Sequence, residues 1–301
     1  MKKKKIIIIG GTGFIGFHLA KFLLNKNFSI TSVSTRRPVK KRTLKNINYV
    51  RDDITKPKKL LKIKNKFDYV VNLGGYVNHF NKKLTYNSHY KGCVNLVNLF
   101  RKSKIKAFLQ VGSSLEYGKL KSPQEESNGK KPVSVYGKSK FLATKYLIKN
   151  YKLRKFPAII IRGYQVYGPK QDTNRLIPIV ITNCLKDKSF SCSEGSQFRD
   201  FLYIDDFISA VYKALMNRKA IGKIINIGYG KAYTVKGVIN KIKNLIKKGK
   251  PEFGKVKLRK DENKILFPSI SRAVKILKWK PKISLLKGLD KTIQDYRKKT
   301  T

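Results

Sequence analysis

The sequence predicts an α/β fold, with a doubly wound parallel sheet and a smaller C-terminal α/β part for substrate. Two observations support this class. A glycine-rich turn joins an apolar strand to a helix near the start, and strand-like segments then alternate with helical patterns. The 301 residues suffice for one large domain with a smaller companion. We expect a dinucleotide-binding domain over residues 1–165 and a substrate-binding part over 166–301, from which some segments return to the main sheet.

The first motif is a strand, a glycine turn and a helix within "IIIIGGTGFIGFHLAKFLLNK". Gly10 and Gly13 allow a tight turn and the close approach of a pyrophosphate, and Gly16 allows the helix to pack on the strand. Phe14 and Ile15 begin this helix, whose N-terminus would face the phosphates, and they join the predicted cofactor contacts. The motif therefore predicts a Rossmann-type NAD(P) site.

Five further segments have the apolar character of strands, and two stretches between them have helical periodicity. This alternation is typical of parallel strands joined by crossover helices. The second half carries more turn residues, which indicates a smaller unit over the carboxyl ends of the strands, where such sheets bind ligands. The strand segments are 28–34, 67–75, 106–114, 157–164 and 223–230, and the helical stretches are 90–102 and 136–150.

The net charge of +52 raises the question of a nucleic-acid partner. Lysines are spread over the whole chain, 13 of the 69 basic residues are arginine, and no aromatic or arginine signature of RNA recognition accompanies them. We therefore favour a solvated basic surface over a nucleic-acid site. An anionic substrate would still benefit from this field.

The cysteines, histidines and apolar runs exclude several other classes. Three cysteines at irregular spacing predict reduced thiols and not a disulfide framework. No histidine forms a metal-ligand pattern with a cysteine or a carboxylate, so we predict no metal site. No apolar run approaches the length of a membrane-spanning helix, and the apolar run at the start is too short for a signal peptide. We expect a cytoplasmic location without membrane attachment.

Nine short motifs occur in an order that is typical of one family: "GGTGFIG", "RDDIT", "VVNLGG", "VGSSLEYG", "YGKSK", "IRGYQVYGPKQ", "FRDFLYIDD", "INIGYG" and "LKWKP". The chain resembles the extended short-chain dehydrogenase/reductases of the NAD-dependent epimerase/dehydratase family, which act on nucleotide sugars. The resemblance covers nearly the whole chain. It implies a nucleoside-diphosphate sugar substrate and a homodimer in which the two helical stretches pair between subunits, with apolar contacts from Phe141, Tyr146 and Leu147.

The catalytic candidates are Ser113, Tyr136 and Lys140. Tyr136 and Lys140 lie four residues apart, so on a helix they share one face. A nearby ammonium favours the phenolate of a tyrosine, whose ordinary pKa is about 10. The resemblance implies that Tyr136 exchanges a proton with a sugar oxygen while Lys140 also bonds the cofactor ribose. Ser113 stands where the family places its catalytic Ser or Thr.

The resemblance also assigns contacts to both ligands. Asp53 resembles the acid that bonds the adenine amino group, with Asp52 as the neighbouring alternative. Arg199 and Arg259 fall where the family holds the substrate diphosphate, although "RKDE" replaces the usual Arg-Pro-Gly-Asp around Arg259. Further cofactor contacts are expected from Ile54, Leu73, Gly74 and Gly75, and further substrate contacts from Ser114, Glu116 and Gln165.

The end of the second strand bears on the choice between NADP(H) and NAD(H). An NAD site needs an acid about 20 residues beyond the glycine turn to bond the ribose 2′-hydroxyl. No Asp or Glu lies between Gly16 and Asp52, and the strand ends in "VSTRRP", with Arg36 and Arg37. Guanidinium groups suit a 2′-phosphate. We therefore expect NADP(H) as the preferred cofactor, with NAD(H) also possible.

Three hypotheses for the activity follow. The first is an enzyme that reduces a 4-keto nucleotide sugar or epimerises one at C4. The second is a 4,6-dehydratase, although the acids that such relatives carry directly after the catalytic Thr are displaced here, where Ser114 and Leu115 follow Ser113. The third is a non-catalytic dinucleotide- or RNA-binding relative, which the intact Tyr136 and Lys140 argue against.

Overall fold

The computed structural model describes residues 3–76, 80–129, 131–258 and 263–298. A π turn, Asn87–Lys91, joins two of its helices, α3 and α4. The strands are β1 (Lys4–Ile9), β2 (Phe28–Ser34), β3 (Ile47–Arg51), β4 (Tyr69–Asn72), β5 (Ala107–Ser113), β6 (Ala158–Gly163), β7 (Gln165–Tyr167), β8 (Ser189–Ser191), β9 (Phe198–Tyr203), β10 (Ile224–Ile227), β11 (Ala232–Thr234), β12 (Lys250–Glu252) and β13 (Ile265–Leu266). The helices are α1 (Phe14–Leu24), α2 (Lys59–Ile63), α3 (Lys82–Tyr86), α4 (Gly92–Phe100), α5 (Val135–Arg154), α6 (Leu176–Leu185), α7 (Ile204–Met216), α8 (Val235–Ile246), α9 (Ser271–Leu277) and α10 (Leu285–Arg297).

The main sheet has seven parallel strands in the order β10-β6-β5-β4-β1-β2-β3. The chain builds outward from β1 in one direction through β2 and β3, and then in the other through β4, β5 and β6. The order of the strands therefore reverses between β1 and β4. Ligands of doubly wound sheets bind at the carboxyl ends of the strands beside such a reversal. The predicted fold class, a Rossmann-type doubly wound sheet, is confirmed.

The isoleucine run of β1 shows why this strand lies at the centre of the sheet. Successive side chains of a strand point to opposite faces. Ile6 and Ile8 pack into the apolar core on one face, and Ile7 and Ile9 pack into the core on the other. A parallel sheet that is covered by helices on both faces needs such a continuous apolar run.

The second half of the chain adds smaller sheets and returns one strand to the main sheet. Strand β9 pairs with β7, β11 and β13, and β8 pairs with β12. Strand β10 instead lies beside β6 in the main sheet. The carboxylate of Asp206 in α7 accepts hydrogen bonds from the backbone N–H groups of Lys282 and Ile283, at 2.9 and 2.8 Å. These two bonds hold the segment that leads into α10.

Two absences concern the part of the chain that the structure describes. None of its helices combines the length and the apolar character that a membrane crossing requires. Within the same ranges, no three or more His, Cys, Asp or Glu side chains gather in a way that could hold a metal ion.

Candidate active site

The glycine turn between β1 and α1 has the close packing that the motif predicts. Gly10 has a φ of +76°, and a Cβ there would lie 3.0 Å from the backbone nitrogen of Gly74, which lies just after β4. A Cβ on Gly16 would lie 2.5 Å from the carbonyl oxygen of Gly10, so the helix can approach the turn because Gly16 has no side chain. Phe14 begins the helix directly after its N-cap, Gly13.

The start of α1 fits a pyrophosphate. The first turn carries no acidic residue, and no side chain caps it. The first N–H groups of a helix have no partner within the helix and attract anions. Gly13 instead donates to the carbonyl of Gly10, at 3.1 Å, which closes the turn behind these groups. Phe14, Ile15 and Gly16 are therefore the residues whose backbone could hold the phosphates of a dinucleotide.

The two aspartates after β3 have different structural roles. The carboxylate of Asp52 accepts hydrogen bonds from the backbone N–H groups of Lys58 and Leu60, and so holds the start of α2. Asp53 is exposed, and one of its oxygens accepts from the N–H of Thr55 at 2.8 Å. Of the two acids, Asp53 is therefore the one whose position suits an adenine.

The end of β2 adjoins the glycine turn. The hydroxyl oxygen of Ser34, the last residue of β2, accepts from the N–H of Thr12 in the glycine turn at 3.4 Å. Arg36 and Arg37 follow within three residues, and both are exposed. The structure thus places two exposed basic side chains directly after the carboxyl end of β2.

The segment after β4 completes the predicted cofactor surface. Gly74 donates to the side-chain oxygen of Asn72 at 3.0 Å, and the buried Ile54 would contact any Cβ placed on Gly74. Leu73 donates to the carbonyl of Ile9 at 2.9 Å, which ties this segment to β1. Gly75 lies against the ring of His89, and a Cβ on Gly75 would overlap that ring.

The catalytic candidates come together at the carboxyl end of β5. Ser113 ends β5, and Ser134 caps α5 by accepting from the N–H of Gly137 at 3.1 Å, so Tyr136 stands in the first turn of α5. The side chain of Ser113 is hydrogen-bonded to Tyr136. The Nζ of Lys140 lies 5.8 Å from the centre of the Tyr136 ring and donates to the carbonyl of Val111 at 2.8 Å.

Burial is the largest influence on the ionisation of this pair. It raises the pKa of Tyr136 to about 12, although the hydrogen bond from Ser113 works in the opposite direction. Burial also lowers the pKa of Lys140 to about 8, although the negative charge of Glu116 raises it. The groups of the chain therefore keep Tyr136 protonated near neutral pH. The expectation that the Lys140 ammonium favours a phenolate is outweighed here by desolvation.

The expected substrate contact from Glu116 is corrected by the structure, because Glu116 has no exposed surface. One carboxylate oxygen accepts from the backbone N–H of Ser113 at 2.9 Å. The other accepts from Nε and Nη2 of Arg162, at 3.0 and 2.8 Å, and from the Thr144 hydroxyl at 2.8 Å. Glu116 thus holds the backbone N–H of Ser113.

The remaining substrate candidates lie on separate elements of the fold. Ser114 is buried beside Ser113. Gln165 is exposed on β7, which pairs with β9, the strand that carries Arg199. Arg199 is buried, and its guanidinium donates to the carbonyl of Phe198 at 2.7 Å. Arg259 lies outside the described residues.

Three residues near the site were missed by sequence reasoning. Arg162 is buried under Ser113, His89 packs on Tyr136, and Arg175, just before α6, lowers the pKa of Tyr136 through its positive charge. A signal existed for one of them. Arg162 stands in the otherwise apolar strand "AIIIRG", where a charge requires a buried partner of opposite sign.

The glycine turn at the carboxyl edge of a doubly wound parallel sheet defines an α/β fold of the dinucleotide-binding class, and comparison with known proteins agrees. A family model described as "NAD dependent epimerase/dehydratase family" matches residues 6–228. Over 98% of this chain and 89% of its own, dTDP-D-glucose 4,6-dehydratase of Mus musculus is 28% identical. Over 95% of this chain and 94% of its own, UDP-glucuronate 4-epimerase of Thermodesulfobacterium geofontis is also 28% identical.

Solved structures match the whole fold. UDP-glucose 4-epimerase of Thermotoga maritima superposes with a TM-score of 0.93 at 23% identity, over 99% of this chain and all of its own. UDP-glucuronic acid 4-epimerase of Bacillus cereus, in complex with UDP-glucuronic acid and NAD, superposes with a TM-score of 0.89 at 26% identity, over 98% and 99% of the two chains. The chain belongs to the NAD dependent epimerase/dehydratase family and is an enzyme of that family.

Proposed function

We propose that this enzyme binds a nucleoside-diphosphate sugar and changes the sugar at C4, as a 4-keto reductase or a C4 epimerase. One observation carries the proposal: Ser113, Tyr136 and Lys140 meet at the carboxyl end of β5, on the edge of the sheet that also holds the glycine turn. The relatives named as epimerases of UDP-sugars support this reaction class.

The residues of the chain divide the chemistry between them. A bound nicotinamide dinucleotide would supply the redox capacity, held by the backbone of the glycine turn and by Lys140. Tyr136, protonated near neutral pH in the chain alone, would give its proton to the C4 oxygen during reduction, and the phenolate that this leaves would take a proton from the C4 hydroxyl during oxidation. Ser113, hydrogen-bonded to Tyr136, would share the sugar hydroxyl with it. Glu116 keeps Ser113 in place by holding its N–H.

The second candidate is a 4,6-dehydratase, because several relatives are named dTDP-D-glucose 4,6-dehydratase. Removal of the C6 hydroxyl calls for acid–base groups near C6. Glu116 is the acid nearest to Ser113 in the sequence, but it is buried and engaged by Arg162 and Thr144. This engagement favours reduction or epimerisation over dehydration.

A panel of nucleotide sugars tests the choice. The protein is incubated with UDP-glucose, UDP-glucuronate and dTDP-glucose, each with NAD⁺ and, separately, with NADP⁺, and the products are separated by chromatography. A C4 epimer with no net change in cofactor supports an epimerase, and a 4-keto-6-deoxy product supports a dehydratase. In a separate arm, the protein is given a 4-keto nucleotide sugar together with NADPH. Loss of the absorbance of the reduced cofactor in this arm identifies a reductase. No turnover of any sugar in any arm would overturn the proposal.

The substrate diphosphate is assigned to Arg199, with Arg259 as a second contact. A guanidinium binds phosphate with two parallel hydrogen bonds. The burial of Arg199 beside β7 and β13 supports this assignment, since a buried guanidinium interacts with an anion more strongly than an exposed one. Gln165 and Ser114 remain proposed contacts to the sugar.

The cofactor preference is proposed to be NADP(H). Ser34 stands where an NAD site would carry an acid, and two exposed arginines, Arg36 and Arg37, follow it, which supports binding of a 2′-phosphate. Several solved relatives are complexes with NAD, which supports a nicotinamide dinucleotide without deciding between the two forms.

A homodimer through α4 and α5 is proposed, and an apolar groove of about 500 Å³ along α5 supports it. Phe141, Ile148, Leu153 and Ile224 line the groove, and Leu153 is 70% exposed. Leu147, expected in such a contact, is instead fully buried within the protomer. We also propose that the chain divides near residue 165 into a dinucleotide-binding domain and a substrate-binding part, and that the protein is cytoplasmic.

A further inference from the structure

The π turn between α3 and α4 presents a histidine ring to Tyr136. His89, in the middle of this turn, is buried, with 6% of its surface exposed. Its ring centre lies 4.8 Å from that of Tyr136, and the two planes are nearly perpendicular, at 85°. Edge-to-face pairs of this kind are directional. π turns are rare and often occur at functional sites.

Hydrogen bonds tie the π turn to the segment that follows Gly75. The Nε2 of His89 lies 3.1 Å from the carbonyl oxygen of Tyr76. A carbonyl oxygen can only accept, so Nε2 carries the proton. The N–H of Tyr76 donates to the hydroxyl oxygen of Ser88 at 2.9 Å. Both polar groups of the Tyr76 backbone are thus held by neighbouring residues of the π turn.

Gly75 makes room for the histidine ring. A Cβ on Gly75 would lie 1.8 Å from Cε1 of His89, which is less than any real contact allows. The ring of His89 therefore occupies the space that an alanine methyl would take, between the predicted cofactor segment and the acid–base tyrosine.

We infer that His89 is a positioning residue for Tyr136: its ring holds the phenol in the orientation that meets Ser113, and Gly75 is the residue that permits this. The inference rests on the proposed function, because it assigns Tyr136 the proton transfer. Tyr136 is then fixed from two sides, by the ring of His89 and by the hydrogen bond to Ser113.

The first test separates positioning from packing. His89→Ala should lower kcat by about ten- to a hundredfold, the range expected when a reacting group is misplaced by about 1 Å. KM for UDP-glucose, UDP-glucuronate or dTDP-glucose and Kd for the dinucleotide should stay unchanged. His89→Phe keeps a ring edge-to-face with Tyr136 and should recover most of kcat. A His89→Phe variant as slow as His89→Ala would overturn the inference.

The control is an aromatic pair of the same kind away from the site. Tyr212 on α7 packs T-shaped against Phe22 on α1, with ring centres 5.3 Å apart. Tyr212→Ala should lower the Tm and leave kcat unchanged. If His89→Ala lowers the Tm to the same extent and kcat stays at the native value, the ring serves packing and the inference fails.

A double variant tests the role of Gly75. Gly75→Ala should displace the ring and reproduce the loss of kcat seen in His89→Ala, because the new methyl and the ring cannot share the space. Adding Gly75→Ala to His89→Ala should then change kcat, measured with the dinucleotide at saturation, little further. Independent, multiplying losses would contradict the inference.

The Tyr136→Phe variant, assayed in parallel, separates this inference from the proposed function. Loss of turnover in Tyr136→Phe together with native kcat in His89→Ala overturns the role of His89 alone. Native turnover in Tyr136→Phe removes the proton-transfer role of Tyr136, and the inference with it.

Discussion

Glu116 shows how one fully buried carboxylate can hold three separate parts of the chain together. Its two carboxylate oxygens receive four hydrogen bonds, from the Ser113 backbone, the Arg162 guanidinium and Thr144. The ion pair with Arg162 has no exposed surface on either side. The guanidinium of Arg162 also lies 4.4 Å from the centre of the Tyr117 ring.

Removal of this charge should therefore be destabilising. Glu116→Gln leaves the Arg162 charge buried without its partner, which typically costs about 3–5 kcal/mol. Lys106→Gln is the control, because Lys106 forms an exposed ion pair with Asp68, and such pairs contribute at most about 1 kcal/mol. Chemical denaturation of both variants gives the free energies of unfolding, and equal losses would contradict the role of Glu116.

The assignment of Arg199 predicts a selective effect on substrate binding. Arg199→Ala should raise KM for the nucleotide sugar far more than KM for the cofactor, since a charge-assisted phosphate contact contributes about 1.5–3 kcal/mol. Arg199→Lys keeps the charge without the planar fork. Its KM for the nucleotide sugar should lie between the value for the native protein and the value for Arg199→Ala. Steady-state kinetics with each ligand varied in turn measures this. Equal changes for both ligands would move Arg199 away from the diphosphate.

At the level of single residues, the sequence predicted which candidates lie close together better than it predicted their contacts. Ser113, Tyr136 and Lys140 were found from spacing and family resemblance, and the structure brings them together. The engagement of Glu116 could not be predicted, because its partner Arg162 lies 46 residues further along the chain, on β6. His89 gave no signal either, since its contact with Tyr136 depends on a π turn.

At the level of elements, the end of β2 carries the prediction on cofactor preference. Arg36→Asp should weaken binding of NADPH and shift the ratio of the two dissociation constants toward NADH, because the carboxylate repels a 2′-phosphate and accepts from a 2′-hydroxyl. Arg218→Asp, the same charge change at an exposed site outside the cofactor surface, is the control. Fluorescence titrations at one salt concentration measure the constants. Tighter binding of NADH by the native protein would contradict the preference.

The strands that were found and missed differ in their burial. The segments at 28–34 and 106–114 were predicted from apolar runs, and they form β2 and β5. Strand β3 was not predicted. It lies at the edge of the sheet, has no buried residue and reads "INYVR", so its apolar content is weak. It forms because β2 offers it a parallel hydrogen-bonding edge, a long-range effect that local sequence does not contain.

At the level of the whole molecule, the high positive charge bears on assembly. Lys145, Lys149 and Lys152 flank the apolar groove on α5. If α5 pairs with its copy, these like charges repel, and salt screens them. The proposed homodimer should therefore tighten as salt rises over the physiological range.

Light scattering at micromolar concentration measures this assembly. Leu153→Lys should dissociate the dimer, because it places a further charge in the groove. Leu61→Lys, at another exposed leucine, should not. A monomer at every salt concentration would contradict the proposed dimer.

The central claim is that Tyr136 transfers the proton at the sugar, and one substitution tests it most directly. Tyr136→Phe removes the phenol oxygen and keeps the ring, so the contact with His89 survives. Binding of the dinucleotide, measured by fluorescence, should stay at the native level. Turnover of the nucleotide sugar should fall by about 10²–10⁴, the contribution of general acid–base catalysis. Native binding with near-native turnover would contradict the claim.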